Sequence, residues 1–219
     1  MTQRRPVNDR PVRTALTRDG FARLANVSRE TLARLEAYVG LLEAWNRRIN
    51  LVGATTMGDP WRRHILDSAQ LLRYLPARAQ SLVDLGSGAG LPGLVLAILG
   101  VPEVHLVESD QRKAAFLREA ARVSGTPVQI HAARAERLGP LTADVVTARA
   151  LAPLPDLLDI AERFLSNHSI CLFLKGRGAG DEVAEAAKGW TMTARLEPSR
   201  SDPGGTIVIV ETLARRARP

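Results

Sequence analysis

The chain has one cysteine in 219 residues, 4% aromatic residues, three lysines and no long apolar run. A lone thiol cannot form an internal disulfide, so a disulfide-stapled secreted scaffold is excluded. Cys171 sits in the apolar run Ile170-Cys171-Leu172-Phe173-Leu174 and reads as core packing rather than a catalytic thiol. The longest apolar stretch, Gly93 to Val101, falls far short of the roughly 18 to 20 residues that cross a bilayer, which excludes a transmembrane helix. The opening segment MTQRRPVNDRPVRTALTRDG carries basic residues with no apolar run behind them, so no secretory signal is expected and a cytoplasmic protein is. Four histidines and one cysteine show no recognisable ligand spacing, and no metal site is expected.

With so few lysines, arginine carries the positive charge. The net charge is +7, and it is unevenly spread: residues 1–80 hold 14 Arg and no Lys against 7 Asp plus Glu, whereas residues 81–219 hold 16 basic and 16 acidic residues. The whole excess therefore lies in the first third. A planar guanidinium donates two parallel hydrogen bonds to a phosphate, so the asymmetry points to a surface for a polyanion. Arg47, Arg48, Arg62 and Arg63, with His64 beside them, are the candidate contacts to such a polyanion, RNA among them, and Lys175, after an apolar strand, is a further candidate for a phosphate. For each of these the competing reading is an ordinary solvated or structural side chain.

Leu32, Leu35, Val39, Leu42, Trp45 and Ile49 recur at spacings of three and four behind Ser28, which predicts a helix capped by that serine. Asp59-Pro60 predicts the start of a second helix through WRRHILDSAQLLRYL, closed by Pro76. On this helix His64, Asp67 and Ser68 can form a polar cluster. Beyond Pro76 short strand-like runs (SLVDLG, VHLVES, PVQIHA, ADVVTA, SICLFLKG) alternate with helices near 91–99, 111–124 and 153–165, which predicts βαβ units and a mainly parallel sheet with helices on both faces. WTMTARLEP and GGTIVIVETL are joined too tightly for a crossover helix, and so predict an antiparallel hairpin. The expected organisation is a basic flexible tail over 1–20, a helical extension over 21–76, a catalytic α/β domain over 77–213 and a basic tail over 214–219.

The most specific segment is Val83-Asp84-Leu85-Gly86-Ser87-Gly88-Ala89-Gly90-Leu91-Pro92-Gly93: a strand, an acid, a glycine turn and a proline that opens a helix. Glycines here admit positive φ and close approach of backbone to ligand at the carboxyl edge of the sheet. Gly88 to Gly93 also matches the dinucleotide pattern G-x-G-x-x-G, whose helix N-terminus holds a pyrophosphate. Asp84 would set a negative charge against a pyrophosphate but suits a cationic ligand, such as S-adenosylmethionine. Glu108, 22 residues after Gly86, ends the next strand where a carboxylate can accept ribose hydroxyls, a feature common to both ligands. Asp110 is placed to cap the following helix.

The glycine segment resembles the cofactor loop of class I S-adenosylmethionine-dependent methyltransferases, specifically the bacterial small-subunit (16S) rRNA methyltransferase G family, also called glucose-inhibited division protein B. Asn46-Arg-Arg-Ile-Asn50-Leu51, Arg63-His64-Ile65-Leu66-Asp67-Ser68, Arg134-Ala135-Glu136, Thr147-Ala148-Arg149-Ala150 and Leu174-Lys175-Gly176 carry the same resemblance, which runs from about residue 28 to the last strand. It implies a Rossmann-like seven-stranded sheet and transfer of a methyl group to N7 of the guanine at position 527 of the 530 loop of 16S rRNA, in free rRNA or in the small ribosomal subunit; a monomer is expected. By motif, Gly86 and Leu91 would meet the cofactor, Ala135 and Glu136 its adenine, and Arg149 the junction of cofactor and guanine; the glycine loop and the strand-end acid add Gly88 and Glu108 to the expected cofactor contacts. Leu91 stands where the family pattern has phenylalanine, so stacking would be replaced by an aliphatic contact. Guanine N7 offers an in-plane lone pair, so no general base is expected and Arg149 is assigned a positioning role. Two other classes stay open at this point: an RNA-binding factor on the same fold, and an NAD-linked oxidoreductase with a helical extension.

Overall fold

The computed structural model describes residues 14–216. Seven strands form one sheet in the order β3-β2-β1-β4-β5-β7-β6, with β1 Ser81–Leu85, β2 Glu103–Val107, β3 Gln129–His131, β4 Ala143–Arg149, β5 Leu165–Lys175, β6 Trp190–Pro198 and β7 Thr206–Arg215. The first five are parallel; β7 is antiparallel to β5, and β6 pairs antiparallel with β7 from Trp190↔Arg215 to Pro198↔Thr206. The strand order reverses between β1 and β4. In an open parallel sheet that reversal leaves a crevice beyond the carboxyl ends of the strands.

Helices cover both faces, as the nearly uninterrupted burial of β1 and β2 requires. One face carries α1 (Arg18–Ala25), α2 (Arg29–Asn46), α4 (Gly93–Ile98) and α5 (Gln111–Ser124); the other carries α6 (Leu154–Ala161) and α7 (Ala179–Ala186). Ser28 caps α2 by accepting from Thr31 N at 3.0 Å, and Leu32, Leu35, Tyr38, Val39 and Leu42 form its buried stripe. Asp110 caps α5, accepting from Arg112 N and Lys113 N. Phe21 of α1 and the α2 stripe share one core with Leu82, Leu106 and Leu172 of the sheet, so the N-terminal helices are a layer of the same body.

The stretch 61–74 is helical, but not the regular α-helix that its pattern predicts. A π turn (Trp61–Leu66) passes into one α turn, α3 (Asp67–Ala69), and then a 3-10 turn (Gln70–Tyr74). The Arg63 carbonyl in this composite segment also accepts from Arg149 at 3.3 Å, a competing donor at the turn where the ladder is irregular. Asp59 still caps the start, accepting from Arg62 N and from Leu16 N at 2.8 Å.

Three further departures have local causes. α1 begins at Arg18, inside the stretch expected as tail, because Thr17 caps it by accepting from Gly20 N at 3.0 Å. α7 has no counterpart in the sequence reading, since glycines at 176, 178 and 180 mask its pattern. The helix expected over 153–165 ends at Ala161, and β5 starts at Leu165, upstream of the apolar run that marks it. Residues 1–13 and 217–219 of the two expected tails lie outside the described residues.

Candidate active site

β1 delivers the chain to the glycine turn, and five amides of that turn are bonded inside the protein. Ser87 N donates to Val107 O at 3.0 Å, Gly88 N to Glu108 Oε2 at 2.8 Å, and Gly90 N and Leu91 N to Ser87 O. Gly93 N donates to Asp84 Oδ2 at 3.2 Å. Gly88 has φ of 55°, a left-handed conformation that glycine adopts freely, and a Cβ built there would meet nothing nearer than Gly86 O at 3.7 Å. The space beside Gly88 is therefore open to a ligand. From α2, the buried Tyr38 hydroxyl donates to Ala89 O at 2.7 Å and fixes the crest of the turn; burial holds that phenol above its usual pKa.

Two carboxylates lie under the turn. Glu108, 7% exposed, takes Gly88 N on one oxygen and Asp110 N at 2.7 Å on the other. Each oxygen keeps a second lone pair, so the ribose role expected of Glu108 is compatible with its bracing role. Asp84 is fully buried, joined to Thr147 Oγ1 of β4 at 2.7 Å and to Gly93. Burial raises its pKa to about 6, against the opposing pull of its hydrogen bonds and of Arg149. The anion expected to face a cationic ligand is thus an internal strut between β1, β4 and α4.

The crevice at the β1/β4 reversal is a cleft of about 760 Å³. Of the residues singled out from sequence, Gly86, Gly88, Leu91, Arg149, Arg63, His64 and Lys175 line it; Glu108, Ala135, Glu136, Arg47, Arg48 and Arg62 do not. Ala135 and Glu136 form a short 3-10 turn after β3, with Glu136 exposed.

Arg149, at the end of β4, joins the sheet to the composite segment. Its Nη1 lies 3.3 Å from each of Arg63 O, His64 Nδ1 and Asp67 Oδ2. His64 is 2% exposed, and burial together with the cations Arg149 and Arg63 lowers its pKa to about 3, so the ring is neutral. Because Nδ1 faces the Arg149 donor, the network assigns the proton to Nε2, which donates to Thr56 Oγ1 at 3.0 Å. The free lone pair of His64 is thereby occupied, and the ring positions rather than transfers protons. Asp67 also accepts from Ser201 Oγ and from Gln70 Nε2 at 3.1 Å, and Ser68 bonds back to His64 O at 2.8 Å.

The remaining cations divide clearly. Lys175 does not offer its ammonium to an outside phosphate: the side chain is 7% exposed and donates to Ala152 O and to Glu182 Oε2 at 2.7 Å. Arg62 is tied to Asp59 at 2.9 Å and to Thr14 O, and Arg63 to Asp202 at 2.5 Å. Arg47 and Arg48 are exposed, with no ion pair among the described residues. Cys171 is buried, its thiol pushed up to about 12 by burial, as packing requires.

Sequence reasoning missed Tyr38, Thr56, Asp202, Glu182 and Lys113. The last four line the cleft, and Tyr38 holds its floor. Tyr38 and Ala89 are 51 positions apart, and no local pattern could have paired them.

A family model for "rRNA small subunit methyltransferase G" (GidB) matches residues 31–200. The chain belongs to that family. A Ribosomal RNA small subunit methyltransferase G of Rhodospirillum rubrum is 56% identical over 200 residues, covering 91% of this chain and all of the relative. One of Rhodospirillum centenum is 58% identical over 196 residues, covering 90% and 91%. Among solved structures, M. jannaschii TYW2 in complex with AdoMet aligns with a TM-score of 0.52 at 16% identity over 69% of this chain and 77% of that one. A ribosomal protein L11 methylase from Lactobacillus delbrueckii subsp. bulgaricus aligns with 0.53 at 13% identity over 68% and 77%; such likenesses bear on the fold alone. The chain is an S-adenosylmethionine-dependent methyltransferase with a Rossmann-like sheet. No described helix is long and apolar enough to cross a membrane, and no cluster that could hold a metal is found among the described residues.

Asp84 sets a pH test. Its folded pKa lies above the ordinary value of 3.8, so its proton is held more tightly in the folded state; its contribution to stability is present below pH 4 and is lost as pH rises through about 6. Urea-unfolding midpoints of wild type and Asp84→Asn measured from pH 4 to 7 should differ by an amount that changes in this window, the wild type losing ground as pH rises. A constant difference would show that Asp84 is charged throughout.

Proposed function

We propose that this chain transfers the methyl group of S-adenosylmethionine to N7 of a guanine in the 530 loop of small-subunit rRNA, with the cofactor at the glycine turn and the base in the cleft beside Arg149. The observation that carries the reading is the meeting, in one cleft, of a turn with open space at Gly88 and an arginine held in place by the helical layer. Bound S-adenosylmethionine supplies a methyl group made electrophilic by its sulfonium.

Gly86, Gly88 and Leu91 border that ligand; Glu108 offers its remaining lone pairs to the ribose hydroxyls; Ala135 and Glu136, on the next turn along the edge, flank the adenine. Leu91 is 3% exposed and packs as an aliphatic residue where the family pattern has an aromatic one. Guanine N7 presents its lone pair without deprotonation, so what the chain contributes is alignment, which can supply about 7 to 11 kcal/mol of the barrier. The neutral His64 fits this chemistry, since neither it nor its partners move a proton. Arg149 orients through its donor fork: Nη1 is spent on the composite segment, and Nε and Nη2 make no hydrogen bond to any described residue. Its charge is offset by Asp67 and does not oppose the cation formed on the methylated ring as a bare arginine would.

RNA is held by charge away from the chemistry. Arg47 and Arg48 are exposed and make no ion pair among the described residues, whereas Arg62 is paired with Asp59 and the partly exposed Arg63 with Asp202, and these two take a structural part. We assign residues 21–76 chiefly to the RNA and 77–213 to the cofactor, in a cytoplasmic monomer that acts on 16S rRNA or the assembled small subunit.

Labelled S-adenosylmethionine, incubated with unmethylated small subunits, should put its label on one guanine whose strand then cleaves after reduction and aniline treatment. Label on a pyrimidine, an adenine or a ribose would refute N7 chemistry, and binding without any transfer would favour an RNA-binding factor. In the same assay Arg47→Glu/Arg48→Glu should flatten the log-log salt dependence of RNA binding by about 0.7 to 0.9 per lost phosphate contact, leaving S-adenosylhomocysteine affinity unchanged. An unaltered salt slope would move the RNA to another face.

A further inference from the structure

Two described residues other than glycine have a left-handed backbone, Asn26 at φ 49° and Ala150 at φ 51°. Asn26 ends α1, where asparagine often adopts this conformation. Ala150 has no such excuse: alanine is disfavoured there, and a conformation of this kind persists only where its surroundings impose it. The surroundings are visible on both sides. Before Ala150, the Arg149 side chain is anchored to the composite segment. After it, Ala152 O accepts from Lys175 Nζ, Lys175 pairs with Glu182 at 2.7 Å, and Glu182 Oε2 also accepts from Leu154 N at 2.7 Å.

The arch held in this way throws Leu151 across the glycine turn. A Cβ on Gly86 would lie 2.5 Å from Leu151 Cδ1, so the leucine rests on the glycine itself. It is 40% exposed and lines the cleft, on a wall it shares with Arg149 and Lys113 as well as with Leu91 and Pro153. An exposed leucine held by a strained backbone at a cleft of mixed polar and apolar lining is not explained by core packing.

We infer that Leu151 is a positioning residue that presents an apolar surface to the face of the acceptor base, and that the pair of the buried Lys175 side chain with the half-buried Glu182 is the brace that holds it there. The inference rests on the base-methylation reading above. A base taken out of its stack loses its flat apolar neighbours, and an aliphatic side chain fixed beside the cofactor turn restores one of them and limits the tilt of the ring. Lys175 then serves the reaction from inside the protein, through Ala152, without touching RNA.

The test uses the full chain, saturating S-adenosylmethionine and unmethylated small subunits. Leu151→Ala should lower kcat by about tenfold or more through loss of alignment, with the KM for subunits and the affinity for S-adenosylhomocysteine within about twofold of wild type. Leu151→Met should restore most of the rate. Glu182→Gln should reproduce the loss in kcat and add little to it when combined with Leu151→Ala, because the two act on one wall. Wild-type kcat in Leu151→Ala, a loss confined to KM or to cofactor affinity, or independent effects of Leu151 and Glu182 would each overturn the inference. A wild-type chain that methylates no guanine would overturn the functional reading as well, and that failure is seen separately in the unmutated control.

Discussion

The rest of the site depends on how one glycine turn satisfies its own backbone. Between Ser87 and Gly93 five amide donors are each taken by a fixed acceptor: Gly90 N and Leu91 N by the turn's own Ser87 carbonyl, and Ser87 N, Gly88 N and Gly93 N by the Val107 carbonyl, Glu108 and Asp84 outside it. Buried donors of this kind cost about 1 to 3 kcal/mol each if left unpaired, so the turn has little freedom once β1, β2 and α4 are in place. The two acids are the costly part of the arrangement. Asp84 stays buried because Thr147 and Gly93 hold it, and the same bonds join β1, β4 and α4 where the strand order reverses.

The second constraint lies across the cleft. The composite segment carries a neutral His64 and an ionised network around Asp67, and Arg149 bonds to both from the end of β4. The helical layer and the sheet edge are therefore one wall, and a shift of the segment would be felt at Arg149. The surplus of positive charge near the N-terminus divides in the same way: part is paired, as Arg62 with Asp59 and Arg63 with Asp202, and part is exposed without an ion pair among the described residues, as Arg47 and Arg48. Partly exposed ion pairs contribute little to stability, but Arg63 ties the composite segment to Asp202, and Arg62 ties it to Thr14 O, across long stretches of chain.

Periodicity and turn chemistry made the sheet, the terminal hairpin and the caps at Ser28, Asp59 and Asp110 legible, since each is written in a few neighbouring residues. The glycine turn was legible for the same reason. What depended on distant partners was not. Lys175 reads as an exposed strand-end cation, but it is buried against Glu182 and Ala152. Asp84 reads as an acid facing a ligand, but it faces Thr147, 63 residues away. The π turn at Trp61–Leu66 has an ordinary helical pattern, and the Arg149 donor that meets it there comes from another part of the chain.

Because its five bonded amides find their acceptors within the protein, the cofactor turn is built before any ligand arrives. Amide hydrogen exchange on the ligand-free chain tests it directly, because Ser87, Gly88, Gly90, Leu91 and Gly93 each have a bonded N–H. These amides should exchange far more slowly than in an unstructured peptide and within reach of the β1 core, with only modest further slowing when S-adenosylhomocysteine is added. Exchange of the turn at the free-peptide rate, with protection appearing only on ligand binding, would contradict it.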